Sequence, residues 1–132
     1  MTIAVTSAVL EALIDAARAA YPNECCGLLF GTPDAVEAFR AAANVHPTPA
    51  THFEIDPQAL IDAHRAMRRG GAARLVGYFH SHPSGPPEPS ATDRARAARD
   101  AMIWAIIGQG RVRLWRAGGD GLVALPYRVT PA

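Results

Sequence analysis

The fold is decided by residues 77–93, which begin Gly77-Tyr78-Phe79-His80-Ser81-His82-Pro83 and end Pro89-Ser90-Ala91-Thr92-Asp93. Leu75 to Phe79 is a short apolar run, and it predicts a buried strand that ends where the histidines begin. Because side chains alternate along a strand, His80 and His82 are expected to point the same way. The proline- and glycine-rich segment that follows fits neither a helix nor a central strand, so it predicts a loop.

Ser90 opens a segment of good helix formers, Ala91 to Ala101, with Asp93 in its first turn. Two imidazoles and a carboxylate can therefore converge from a strand end and a helix start. A catalytic zinc uses such a three-ligand set and keeps its fourth tetrahedral position for water. Taken singly, each residue has a structural explanation, since histidines commonly lie on the surface and Ser90 with Asp93 fits a variant capping box. The conjunction of all these features favours a metal site.

The motifs His80-Ser81-His82-Pro83 and Ser90-x-x-Asp93, with an upstream Glu24-Cys25-Cys26-Gly27-Leu28-Leu29, resemble those of the JAMM (MPN-plus) zinc metallopeptidases. The resemblance implies one zinc ion per chain, held by His80, His82 and Asp93, while the ligand types leave iron and manganese as alternatives. It further implies that Glu24 is the general base for the zinc-bound water and then the proton donor to the leaving amine. Ser90 would donate a hydrogen bond to the developing oxyanion. On residue physics alone, Glu24 is more simply an exposed residue at a strand start.

The implied reaction is the hydrolysis of an amide or isopeptide bond. The small bacterial JAMM proteins are similar to this chain in length, and some release a C-terminal amino acid such as cysteine from a ubiquitin-like sulfur-carrier protein. We therefore expect a protein partner with a Gly-Gly C-terminus, cut after that tail. The first alternative is a desampylase- or deubiquitinase-type isopeptidase that removes ubiquitin-like modifiers from lysines.

Two readings from other classes are weaker: a non-catalytic scaffold, and a different zinc hydrolase, either a deaminase or a barrel hydrolase. A non-catalytic MPN-type scaffold would typically lack some of the five motif residues, which are all present here. A zinc deaminase would need a Cys-x-x-Cys pair, which the sequence lacks. A His-x-His hydrolase on a (β/α)₈ barrel needs about 250 residues, and this chain of 132 residues is too short for that fold.

Composition bounds the remaining possibilities. A chain of 132 residues, 49% of them hydrophobic, predicts a single domain over residues 1–132. The net charge of +1 gives no reason to expect nucleic acid or an acidic membrane surface as a partner. Cys25 and Cys26 have no other cysteine to pair with, and buried reduced thiols suit a cytoplasmic protein without a membrane span. The oligomeric state is left open, with a homodimer as one option.

The remaining pattern predicts an α/β fold in which a mixed, strongly bent β-sheet is flanked by helices, a JAMM/MPN-like layout related to that of cytidine deaminases. Ile3 to Val5 predicts an edge strand, and Thr6 or Ser7 an N-cap for a helix to about Ala20. Asp56 predicts the N-cap of a second helix that stops at Gly70-Gly71. Further strands are predicted over residues 24–31, 36–43, 53–55, 102–107, 112–115 and 122–129, with Pro126 placing the last on a sheet edge.

The other polar residues are expected to have ordinary structural roles. The three remaining histidines are predicted to lie on the surface or beside the site rather than to bind metal: His46, His52 and His64. Ser84 has no base at a suitable spacing and is not expected to be a nucleophile. Arg94, Arg96 and Arg99 are predicted to be solvated. Trp104 and Trp115 are predicted to fill the core, with partial exposure on a late strand as an equal alternative for Trp115.

Overall fold

The computed structural model describes residues 2–70 and 73–131. Within these ranges the chain forms three helices and eight strands. In chain order they are β1 Ile3–Thr6, α1 Ser7–Ala20, β2 Cys26–Thr32, β3 Ala35–Ala42, α2 Pro57–Arg68, β4 Arg74–Ser81, α3 Ala91–Arg96, β5 Ile103–Gly108, β6 Arg111–Gly118, β7 Gly121–Ala124 and β8 Tyr127–Thr130. None of these helices has the length and apolar character that crossing a membrane requires.

The eight strands form one mixed sheet in the order β7-β6-β5-β4-β2-β3-β1-β8. Three neighbouring pairs are parallel: β4 with β5, β1 with β3, and β1 with β8. Strand β2 has register shifts against both of its neighbours, between Leu29 and Phe30 and between Phe30 and Gly31. Such bulges bend a strand and increase its twist. The predicted α/β fold with a bent, mixed sheet and flanking helices is confirmed.

Helices cover both faces of this sheet. The N-cap of helix α1 is Thr6, whose Oγ1 accepts a hydrogen bond from the Val9 amide at 3.2 Å, and the predicted N-cap is confirmed. Its apolar stripe packs with Leu29 in one core cluster, while Ala63 of α2 packs with Leu28 in another. Since Leu28 and Leu29 are adjacent on a strand, the two helices lie on opposite faces. Trp104 and Trp115 are buried in a third cluster, as predicted.

Three strand predictions need correction. Strand β1 is an interior strand, because β8 returns from the far end of the chain to pair beside it. Residues 53–55 form no strand, and only an isolated bridge joins Ile55 to Asn44. The run 122–129 divides at Pro126 into β7 and β8, which lie at opposite edges of the sheet. The predicted edge position therefore holds for both pieces, but no local pattern could reveal the long-range pairing of β8.

Two predicted boundaries near the histidines are also wrong. Strand β4 continues through His80 to Ser81 rather than ending at Phe79, because both residues pair with β5. Helix α3 stops at Arg96, well before Ala101. Ala97 packs against the cluster around the two tryptophans and has an extended backbone (φ −65°, ψ 125°). Tertiary packing thus overrides the helix propensity of this alanine-rich segment.

The predicted start and end residues of helix α2 are confirmed. Asp56 accepts a hydrogen bond from the Gln58 amide at 3.0 Å, Pro57 is the first helical residue, and Gly70 follows the C-cap with φ 78°. A left-handed residue at this position ends many helices, and glycine adopts it without strain. Gly71 lies outside the described residues.

Candidate active site

Three potential metal ligands meet at the carboxyl end of β4. His80 is the penultimate residue of β4, His82 follows the strand, and Asp93 lies in the first turn of α3. Nε2 of His80 lies 3.2 Å from Nε2 of His82, and Oδ2 of Asp93 lies 3.1 Å from each of these nitrogens. The two histidines thus point the same way, as strand alternation predicts, and we call the three residues the donor cluster.

The spacing and chemistry of the donor cluster fit a tetrahedral zinc ion. Ligand atoms about 2.0–2.1 Å from a tetrahedral centre stand roughly 3.3–3.4 Å apart, close to the observed 3.1–3.2 Å. Nδ1 of His82 lies 2.9 Å from the carbonyl oxygen of Pro86. A carbonyl only accepts, so Nδ1 carries a proton, and in the neutral form of the ring the lone pair lies on Nε2. That lone pair faces a carboxylate oxygen, and a cation between them would relieve the repulsion.

A capping box fixes the Asp93 carboxylate. Oδ2 of Asp93 accepts a hydrogen bond from the Ser90 amide at 2.9 Å, and Oγ of Ser90 accepts one from the Asp93 amide at 3.0 Å. The predicted capping box is therefore confirmed. Burial alone would raise the pKa of the Asp93 carboxyl, but hydrogen bonds from His80 and His82, formed when their Nε2 atoms carry protons, outweigh burial and hold the pKa well below its usual range.

Aromatic rings enclose the His80 side of the donor cluster. The His80 side chain is only 1% exposed. The Phe53 ring stacks on its imidazole with centroids 4.2 Å apart, and Trp104 presents an edge at 5.8 Å. The guanidinium of Arg96 lies over the Phe53 ring, 5.5 Å from its centroid. Nη1 of Arg96 donates a hydrogen bond to the Phe53 carbonyl oxygen at 2.7 Å. His80 is consequently held in one orientation.

Glu24 lies beside the donor cluster and is buried, with 6% of the residue exposed. Glu24 lies just before β2. The expectation from residue physics, that it is exposed at a strand start, is therefore wrong. Burial raises the pKa of the Glu24 carboxyl to about 7, while the charge of His82, when it is protonated, lowers this pKa and that of Asp93 raises it. A carboxyl group with a pKa near neutrality can both accept and donate a proton at physiological pH.

Glu24, His82 and Ser90 line one cleft of about 450 Å³, which we call the central cleft. Its other walls are formed by Ala50, Thr51 and residues of the segment 83–89, which we call the proline loop. The proline loop is packed down at Pro87, which is fully buried and whose carbonyl oxygen accepts a hydrogen bond from Nε1 of Trp115 at 3.3 Å. Gly108 leaves room for this loop, because a Cβ there would clash with the Gly85 carbonyl oxygen.

The remaining polar residues stay largely outside the donor cluster. His64 is exposed on α2, and His46 stacks on His52 in the 44–53 loop with centroids 4.7 Å apart. The three arginines of residues 94–99 are exposed, but Arg96 also contacts Phe53 as described, a role that the prediction of simple solvation missed. Both cysteines are free; Cys26 is buried and Cys25 half-buried.

Sequence patterns did not reveal three residues that shape this site. Phe53 stacks on His80 from a segment that was predicted to be a strand. Asn44 donates from Nδ2 to the carbonyl oxygens of Glu24 at 3.1 Å and His52 at 3.0 Å. Ser81, on the opposite face of β4 from the histidines, accepts a hydrogen bond from the Cys25 amide at 2.8 Å. Strand alternation could have placed Ser81 on that face, whereas the other two contacts depend on how loops pack.

Comparison with protein families gives one clear match. Residues 6–118 match the family model described as prokaryotic homologs of the JAB domain. The match begins at the N-cap of α1 and ends with β6, so it includes every residue of the donor cluster and Glu24.

Individual relatives agree with this match. The chain is 37% identical over 102 residues to a protein named desampylase from Haloferax volcanii, covering 75% of this chain and 73% of that one. It is 40% identical over 92 residues to a probable TtuB-protein conjugate cleaving protease from Thermus thermophilus, covering 70% of this chain and 60% of that one. A solution structure of a protein from Desulfitobacterium hafniense superposes with a TM-score of 0.85 at 31% identity, covering 99% of this chain and 94% of that one.

Proposed function

The chain belongs to the family of prokaryotic homologs of the JAB domain, and we propose that it hydrolyses the amide bond that follows the C-terminal Gly-Gly tail of a ubiquitin-like protein. The predicted family and enzyme class, a JAMM-type hydrolase, are confirmed. The metal, the roles of the site residues and the substrate are parts of the proposal.

The observation that carries the proposal is the donor cluster beside a buried carboxyl group. His80, His82 and Asp93 would hold a zinc ion. When bound, the ion supplies a Lewis acid for the scissile carbonyl and lowers the pKa of a water at its open position toward ~7. Glu24, with a pKa raised to about 7, accepts a proton from the attacking water and returns it to the leaving nitrogen.

Ser90 has a proton to offer to the substrate. Its Oγ accepts a hydrogen bond from the Asp93 amide, with N and Oγ 3.0 Å apart, and the hydroxyl hydrogen is left free to be donated. The central cleft contains this hydroxyl together with Glu24 and His82. We propose that Ser90 donates to the oxygen of the scissile carbonyl as negative charge develops there.

Two leaving groups are compatible with this chemistry. One is a single amino acid, such as cysteine, that extends the Gly-Gly tail of a sulfur-carrier protein. The other is the side-chain amine of a lysine in a conjugated protein, and the name of the Thermus thermophilus relative, a conjugate cleaving protease, favours it. In both cases the acyl part is the same flexible tail.

The test combines metal analysis with hydrolysis. The purified protein is analysed for zinc and incubated with a small ubiquitin-like carrier ending in Gly-Gly-X and with a lysine conjugate of the same carrier, and the products are identified by mass spectrometry. We expect one zinc per chain and cleavage after Gly-Gly that stops on chelation and returns with zinc. Absence of bound metal would contradict the metallopeptidase and favour the scaffold, whereas zinc without cleavage of either substrate would contradict the proposed substrate class.

A further inference from the structure

The segment between β3 and α2, residues 43–56, forms part of the wall of the central cleft, and we call it the cleft loop. Ala50 and Thr51, near its middle, line the cleft. Its two ends are joined by backbone hydrogen bonds, one of them from the Val45 amide to the Glu54 carbonyl oxygen at 2.9 Å. The cleft loop is therefore a closed unit, and its contacts with the rest of the site decide where it lies.

The half-buried Asn44 side chain lies between the two ends of the cleft loop and uses all of its hydrogen-bonding capacity. Oδ1 accepts hydrogen bonds from the His46 amide at 3.1 Å and from the Glu54 amide at 3.0 Å. Nδ2 donates to the carbonyl oxygens of His52 at 3.0 Å and Glu24 at 3.1 Å. Because amides surround one end of the group and carbonyl oxygens the other, the orientation of this side chain is fixed.

The cleft loop binds both the amide and the carbonyl group of Glu24. The amide donates to the Pro49 carbonyl oxygen at 2.8 Å, and the carbonyl oxygen accepts the hydrogen bond from Asn44. Pairing of β2 with each of its neighbouring strands begins at Cys26, two residues later. The backbone of Glu24 is therefore positioned by the cleft loop rather than by the sheet.

The same loop is attached to the donor cluster at Phe53. The Phe53 ring stacks on His80 with centroids 4.2 Å apart, and Arg96 donates to the Phe53 carbonyl oxygen at 2.7 Å. Asn44 binds the carbonyl oxygen of His52, the residue immediately before Phe53. One side-chain amide thus links Glu24 to the segment that packs on the donor cluster.

We infer that Asn44 is a positioning residue, which holds Glu24 beside the donor cluster in the place that proton transfer requires. This inference rests on the proposed function, in which Glu24 exchanges a proton with the attacking water. The walls of the central cleft do not include Asn44, so it acts through Glu24 rather than on the substrate. Misplacement of a reacting group by about 1 Å can lower a rate by roughly 10²-fold. Loss of the link should therefore lower kcat and leave KM unchanged.

The first test variant is Asn44→Asp, which keeps the shape of the side chain and the oxygen that accepts from His46 and Glu54. It replaces Nδ2 by an oxygen, so both donated hydrogen bonds are lost and that oxygen faces the carbonyl oxygens of Glu24 and His52. On a carrier that ends in Gly-Gly-X, we expect kcat to fall by about 10²-fold with KM and zinc content unchanged.

Two further variants separate positioning from charge and from stability. Asn44→Ala introduces no charge and should lower kcat at least as much, whereas a fall confined to Asn44→Asp would assign the effect to charge and overturn the inference. Tyr127→Phe is the matched control, since it removes a hydrogen bond from the Tyr127 hydroxyl to the Val112 carbonyl oxygen beside the core cluster under α1. It should lower the unfolding temperature, as the Asn44 variants do, but keep the wild-type kcat.

Hydrogen exchange of the Glu24 amide, followed by NMR, tests the positioning without any catalysis. Loosening of the cleft loop should make this amide exchange about tenfold faster in Asn44→Asp, while the Leu28 amide in the middle of β2 is unchanged. Unchanged exchange at Glu24, or faster exchange with a wild-type kcat, would overturn the inference and leave the proposed function standing. Faster exchange, in a protein whose wild-type form cleaves no Gly-Gly substrate, would support the positioning of Glu24 by Asn44 and contradict the proposed function.

Discussion

The donor cluster comes from one stretch of the chain, whereas Glu24 reaches the same cleft from a distant one. His80 and Asp93 are separated by 13 positions, and Asp93 is fixed by its hydrogen bonds with a sequence neighbour, Ser90. Glu24 is held by its amide, which donates to the Pro49 carbonyl oxygen at 2.8 Å, and by Asn44, 20 positions away. The donor cluster, which we call the local side of the site, is therefore built from one stretch of the chain. Glu24, which we call the distant side, depends on the packing of loops.

This difference implies that metal binding and proton transfer can be lost separately. The local side contains the atoms that would bind the ion, and none of the contacts that fix Asp93 involves Glu24. The distant side supplies a carboxyl group whose pKa burial has raised to about 7. Substitutions on the first side should remove zinc together with activity, whereas substitutions on the second should remove activity and leave zinc in place.

The largest effect is expected on the local side, from His82→Ala. Because this removes one of three ligands, and with it the nitrogen 3.1 Å from Asp93 Oδ2, zinc should be absent from the purified variant and hydrolysis should fall to background. Metal analysis and mass spectrometry of the products measure the two losses. His64→Ala, which removes an exposed histidine of α2, should behave as wild type. Full zinc content in His82→Ala would show that the ion binds elsewhere.

Glu24→Gln tests the distant side. Loss of the proton-transferring carboxyl group should lower kcat by about 10²–10⁴-fold, the usual contribution of a general base, while zinc stays at one per chain. The measurement is kcat alongside zinc content, with Glu37→Gln, an exposed position on β3, as the control. If the variant retains activity, Glu24 is not the base, and if it loses zinc, the two sides are not separable.

The same division decides how much the sequence could predict. Strand alternation places His80 and His82 on one face, and the Ser90 and Asp93 capping box is a local pattern; both features are observed. Local rules gave the wrong end of β4, because pairing with β5 extends the strand through the histidines. They also favoured an exposed Glu24, since its burial depends on loops that no periodicity describes. The roles of these residues remain predictions, whereas the family and fold are confirmed.

Ser90→Ala should have an intermediate effect on the local side. Loss of one oxyanion donor typically lowers kcat by about 10²–10³-fold, and loss of the N-cap costs about 1 kcal/mol of stability. Thr6→Ala removes the N-cap of α1 far from the donor cluster, so it should cost similar stability and leave kcat unchanged. Thermal unfolding and kcat are measured for both. A kcat in Ser90→Ala close to that of Thr6→Ala would limit Ser90 to capping.

The smallest effect is expected where the two sides touch, at Phe53. Its ring stacks on His80 at 4.2 Å but belongs to the distant loop, so Phe53→Leu should let the imidazole reorient without removing a ligand. Changes to groups that orient a metal ligand commonly weaken metal binding by 10–100-fold, and we expect about tenfold because a leucine still fills part of the space. Competition with a chelator measures the zinc affinity, and the absorption of the cobalt-substituted protein reports the ligand geometry. Phe39→Leu, whose ring contacts Phe79 in the core, controls for lost packing and should leave both readouts unchanged. An unchanged zinc affinity in Phe53→Leu would mean that strand β4 alone orients His80, and that the two sides of the site are independent even where they meet.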